Sequence, residues 1–134
     1  MSTQIFVNLP VRDLGASVDF FTELGYAFDP RMTDDKATCM IVADDIFVML
    51  LVRDFFQTFT TKEVADAATH TEAILCLSAE SRRGVDELVD KAMEAGARQA
   101  KEPMGQGPMY CRSFYDLDGH LWEILHMDPS GLDQ

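Results

Sequence analysis

Positive charge is scarce in this chain: 11 lysines and arginines stand against 23 aspartates and glutamates, a net charge of −12 over 134 residues. A surface of that sign is repelled by phosphate backbones and anionic lipid, so neither nucleic acid nor a membrane is an expected partner. Histidine is scarce as well. His70, His120 and His126 show no H-x-x-H or H-x-x-x-H spacing, which removes the simplest zinc motifs. Three scattered cysteines, Cys39, Cys76 and Cys111, lie in strand-like runs. An odd count of this kind describes reduced thiols and excludes a disulfide framework or a zinc knuckle. Cys76 and Cys111 are expected to be small buried hydrophobes. No apolar run reaches the length of a membrane span, and no basic-then-apolar stretch opens the chain. The expectation is a cytoplasmic protein.

What is present is one pattern written twice. "QIFVNLPV" reads as a strand, and "DLGASVDFFTELG" places Leu14, Val18, Phe21 and Leu24 at helical spacing before the stop at Gly25. "YAFDPRM", "ATCMIVA" and "IFVMLLV" follow as strands, the last two joined through Asp44-Asp45. The second half repeats the order. "TEAILCLSA" is a strand and "SRRGVDELVDKAMEAG" a helix beginning near Ser81. "ARQAKEP" is an edge-like strand, and "MYCRSFYDL" with "LWEILHMD" forms a hairpin. The reading is one α+β domain over 1–134: a βαβββ module at 1–53, a helical connector at 54–70 and a second βαβββ module at 71–128.

The segments "NLPVRDLGASVDFFTELGY", "DDIFVMLLVRDFF" and "MYCRSFYDLDGHLWEILHMDP" resemble the vicinal oxygen chelate superfamily, which includes glyoxalase I, extradiol dioxygenases and bleomycin resistance proteins. More narrowly, the chain is similar to a bacterial branch described as lactoylglutathione lyase-related. The resemblance implies a curled sheet cup with helices outside, a small-molecule ligand and a homodimer. It also implies four inward strand positions that hold a divalent ion in the metal-binding families. Those positions align here with Phe6, Leu50, Ile74 and Glu123, of which only Glu123 is a donor. No metal ligand set and no cofactor are therefore expected, with a divalent metal (Ni, Zn, Fe or Mn) as the alternative.

Glu123 is a lone carboxylate among Leu121, Trp122, Ile124 and Leu125. With a tight turn at Asp118-Gly119, it falls opposite Phe114, on one face with Arg112 and Tyr110. An isolated buried carboxylate needs a partner, and Arg112 is the natural one. The pair is either a structural ion pair or an acid–base carboxylate beside a substrate-binding guanidinium. The expected ligand surface is Phe6, Asn8, Leu50, Ile74, Cys76, Tyr110, Arg112 and Phe114, with Glu123 as the catalytic candidate. Trp122 is expected as a core anchor, His126 on the helix side and His120 exposed or capping the hairpin; "MGQGPMY" is expected to be a flexible rim. Three functions fit: small-molecule binding with proton transfer at Glu123 and no full metal site, sequestration of a ligand as in bleomycin resistance proteins, and a metal-dependent lyase or dioxygenase.

Overall fold

The computed structural model describes residues 2–105 and 107–128. Contacts divide the chain into two compact units that meet at Ala65 and Asp66, inside the expected connector. The described residues form two four-stranded sheets, one in each unit, each with the order first, fourth, third, second strand.

In the first unit, β1 (Ile5–Val11) leads into α1 (Leu14–Glu23). Asp13 caps α1 by accepting from the Ala16 backbone N–H at 3.0 Å, and Gly25 ends the turn at φ 104°. "YAFDPRM" yields only a short strand, β2 (Ala27–Phe28), because Pro30 opens a 3₁₀ turn capped by Asp29. β3 (Ala37–Ala43) and β4 (Ile46–Val52) form the expected hairpin through Asp44-Asp45. β1 then pairs with β4 in parallel, Phe6 beside Phe47 and Leu9 beside Leu50. The expected connector helix is confined to α2 (Arg53–Gln57); beyond it, the hydroxyls of β-branched Thr58 and Thr60 bond to nearby backbone and favour turns.

In the second unit, β5 (Ile74–Ser78) precedes α3 (Arg82–Glu94), whose N-terminus is capped by Ser81 accepting from Gly84 N–H at 2.9 Å. After β6 (Arg98–Gln99), β7 (Met109–Tyr115) and β8 (Leu121–Met127) form the closing hairpin. Val85, Val89 and Ala92 of α3 are fully buried, as are Phe114, Trp122 and Ile124 to within 1%. Phe114 and Trp122 stack at 6.5 Å, and burying two rings of this size contributes roughly 2–3 kcal/mol each. Trp122 is the core anchor that its position in the sequence implied.

The hairpin turn differs from expectation. Tyr115 pairs with Leu121, so the loop is Asp116 to His120 instead of a two-residue Asp118-Gly119 turn. The cause is Asp116, a buried carboxylate inside the loop. One oxygen accepts from the backbone N–H groups of Asp118 at 2.9 Å and His120 at 3.0 Å; the other accepts from the Trp122 indole N–H at 2.9 Å. Gly119 sits at φ 96° with the Ala67 carbonyl 2.5 Å from where a Cβ would stand, so no other residue fits.

Removing the Asp116 carboxylate leaves three donors without their acceptor. Asp116→Ala is expected to cost about 2–3 kcal/mol, the penalty for stranding buried donors, measured by urea unfolding. Burial pushes the Asp116 carboxyl above its ordinary range. The native state therefore binds this proton more tightly than the unfolded chain does. Its contribution to stability falls as pH rises from the ordinary aspartate range through the raised value. The difference in stability between wild type and Asp116→Asn should carry that slope.

Candidate functional site

The pairing of β7 with β8 decides which side chains accompany Glu123. Glu123 lies directly across from Ser113 on one side and beside Cys76 on the other. Alternation then puts Ile74, Cys76, Cys111, Ser113, Leu121, Glu123 and Leu125 on one face of the second sheet. Tyr110, Arg112 and Phe114 lie on the opposite face with Trp122 and Ile124, against α3. The expected Glu123–Arg112 pair does not form. The five-residue loop shifts the register by one from a two-residue turn, and a shift of one changes the face. Arg112 instead donates to Asp86 and Asp90 of α3, both at 2.9 Å, and the Tyr110 hydroxyl donates to Asp86 at 2.6 Å. That hydrogen bond, with help from the Arg112 guanidinium, holds the Asp86 carboxyl below its usual range.

The partner of Glu123 is Lys101, with Nζ 2.8 Å from Oε2. Lys101 follows β6 in the segment that continues alongside β7, where Ala100 N–H donates to the Ser113 carbonyl and Met104 bridges Cys111. Its side chain crosses β7 to reach β8, a span of two strand spacings or about 10 Å. Glu123 raises the Lys101 ammonium above its ordinary value, through the hydrogen bond first and charge second. Neither Lys101 nor Ser113 was visible as a site residue in the sequence. Lys101 belongs to an irregular edge without periodicity, and Ser113 depends on the register.

Around this pair the face is half open. Ile74 is 54% exposed, Cys76 is exposed and not the buried hydrophobe expected, and Leu121 and Leu125 are partly covered. Partial loss of water around its sulfur raises the Cys76 thiol, and the Glu123 carboxylate raises it further. Cys111 is buried and raised for the same two reasons. His126 lies on the α3 side, as expected, with Nδ1 3.1 Å from the Ala79 carbonyl oxygen. His120 closes the hairpin loop through its backbone N–H.

In the first unit, the expected ligand residues separate. Phe6 stacks on Phe47 at 4.8 Å and shares a face with Asn8, whose amide donates to the Phe6 carbonyl at 3.1 Å. Leu50 is fully buried on the other face beside Leu9, so it does not accompany Phe6. Strand pairing makes Asn8 and Met49 neighbours in this sheet, as Cys76 and Glu123 are in the second.

A solved hypothetical protein from S. aureus is 29% identical to this chain and superposes with a TM-score of 0.78, over 94% of this chain and 95% of that one. Residues 3–43 match the family model described as bleomycin resistance protein-like N-terminal. A glyoxalase/bleomycin resistance protein/dioxygenase family enzyme from Burkholderia phytofirmans matches at TM-score 0.77, 18% identity and 94% and 99% coverage of the two chains. The chain has the fold of the glyoxalase/bleomycin resistance protein/dioxygenase structures, and its first module resembles a bleomycin resistance protein. The fosfomycin resistance protein FosX from Listeria monocytogenes matches at TM-score 0.69 and 19% identity over 98% of each chain; at that identity the likeness is one of fold. No curated protein is significantly similar in sequence.

A divalent ion in the manner of the superfamily does not fit these residues. Glu123 is engaged by an ammonium at 2.8 Å, and its strand neighbour is a thiol whose thiolate form is disfavoured. Asn8 and Met49 supply an amide tied to its own strand and a thioether. Among the described residues, no three His, Cys, Asp or Glu side chains gather as a metal-holding group.

Cys76 reports on this site directly. Glu123→Gln removes a charge that disfavours its thiolate, so iodoacetamide labelling of Cys76 at pH 8, followed by mass spectrometry, is expected to be roughly 2–5 times faster than in wild type. Cys39 and Cys111 are buried and should remain unlabelled in both proteins.

Proposed function

We propose that this protein binds a small organic molecule on the open face of its second sheet, without a resident metal, using the Glu123–Lys101 pair as its polar anchor. The observation that carries this reading is the ion pair itself, set among Ile74, Cys76, Leu121 and Leu125 on a half-exposed apolar sheet face. Apolar surface with a few fixed polar groups is how small-molecule sites are built. The match of residues 3–43 to a bleomycin resistance-like model supports binding over turnover. The structure of TioX from Micromonospora, with 20% identity and a TM-score of 0.66, has the same fold.

Proton transfer at Glu123 is the second reading. Its support is the same lone carboxylate, placed beside a thiol and across from a hydroxyl. The Lys101 ammonium already occupies that carboxylate at 2.8 Å, an arrangement that suits an anchor better than a proton acceptor. A metal-dependent lyase or dioxygenase has the least support, because the donor set is poor. A cytoplasmic homodimer belongs to the first reading. Ile5, Phe6 and Ile46 of the first unit, each more than a third exposed, offer apolar surface for association with a second copy.

The test is a fragment-binding screen by calorimetry, followed by Ile74→Ser. Ligands of this face should lose about tenfold in affinity when the exposed isoleucine is truncated, with melting temperature nearly unchanged. Ligands that bind the variant equally well would move the site elsewhere. Stoichiometric Ni, Zn, Fe or Mn in freshly purified protein, lost in Glu123→Gln, would replace this reading with the metal enzyme.

A further inference from the structure

Ser113 Oγ is a buried hydroxyl with no hydrogen-bond partner, in a residue only 2% exposed. A stranded hydroxyl of this kind costs about 1–3 kcal/mol, and in native structures such groups call for an explanation. It lies on the Glu123 face, directly across the β7–β8 ladder from Glu123, whose carboxylate Lys101 holds.

The two ends of the ion pair are held very differently. Glu123 stands on β8, a central strand of its sheet, with its side chain 18% exposed. Lys101 stands on an irregular edge segment, with its side chain 48% exposed. The pair therefore opens from the lysine end. Partly exposed ion pairs of this type add at most about 1 kcal/mol, so the ammonium is readily exchanged for another. When Lys101 swings away it leaves a fixed carboxylate and the lone pairs of a serine hydroxyl, which are acceptors needing a donor-only group with several N–H bonds.

We propose that Glu123 and Ser113 form a subsite for a primary ammonium group of the ligand, and that Lys101 is a latch displaced when that group arrives. Ile74, Leu121 and Leu125 take the carbon body of the ligand. An anion on Lys101 fits less well, since Glu123 would have to leave its place on a central strand. The net charge of −12 enriches cations near the surface in the same sense. This subsite lies within the ligand surface proposed above and depends on that reading.

The experiment is a titration of the methyl-labelled protein with benzylammonium and with benzyl alcohol, followed by NMR at Ile74, Leu121 and Leu125. It uses wild type, Lys101→Met, Glu123→Gln and Ser113→Ala, and the same spectra show whether each variant is folded. Benzylammonium should bind Lys101→Met about five- to tenfold more tightly than wild type, because its competitor is gone. In Glu123→Gln its affinity should fall to that of benzyl alcohol, and Ser113→Ala should weaken benzylammonium alone. An affinity for benzylammonium that Glu123→Gln leaves unchanged, or that Lys101→Met lowers, would overturn the subsite, and either variant decides alone. Equal binding of both probes in every variant would overturn the ammonium subsite and leave the ligand face standing. If neither probe moves these methyls, both are wrong.

Discussion

The register of the β7–β8 hairpin is the constraint on which the second unit depends, and Asp116 sets it. A carboxylate buried at the first position of the loop gathers two backbone N–H groups and the Trp122 indole. Three donors converging on one side chain leave the loop a single length. That length places Tyr115 against Leu121, and every later pair follows. Trp122 is thereby committed to the α3 side. Glu123, one residue on, is committed to the other.

The same alternation separates structure from chemistry. On the α3 side, Arg112 is satisfied by Asp86 and Asp90, while Phe114, Trp122 and Ile124 complete the core. Those residues are occupied with holding the helix to the sheet. On the other side, packing is incomplete: an exposed isoleucine, an exposed thiol, an ion pair and an unpartnered serine hydroxyl share one face. Incomplete satisfaction at one place in an otherwise consistent fold is where a function is to be sought. The first unit has the same strand order and the same parallel pairing of its first and last strands, yet Asn8 and Met49 stand where the second has Cys76 and Glu123. Repetition kept the backbone plan while the side chains diverged.

Much of the plan was legible because it is local. Helical spacing, the helix start near Ser81 and the stop at Gly25 all act over a few residues. The Asp44-Asp45 turn was read correctly for the same reason. The Asp118-Gly119 turn was not, although it looks equally good in the sequence. A buried aspartate two residues earlier overrode it, and burial is not a local property. Leu50 was assigned to the wrong face because an unbroken apolar run, "IFVMLLV", carries no alternation to read.

The sequence by itself determined the two βαβββ modules, the composition that disfavours nucleic acid, and Glu123 as the carboxylate out of place on an apolar strand. These depend on residue type and short-range periodicity, which the linear order records. Only the tertiary structure decided that Arg112 faces α3, that Lys101 is the partner of Glu123 and that Ser113 lies across the hairpin from it. Strand faces reverse with every residue of register, and the register rests on a carboxylate whose three donors come together only when the hairpin closes.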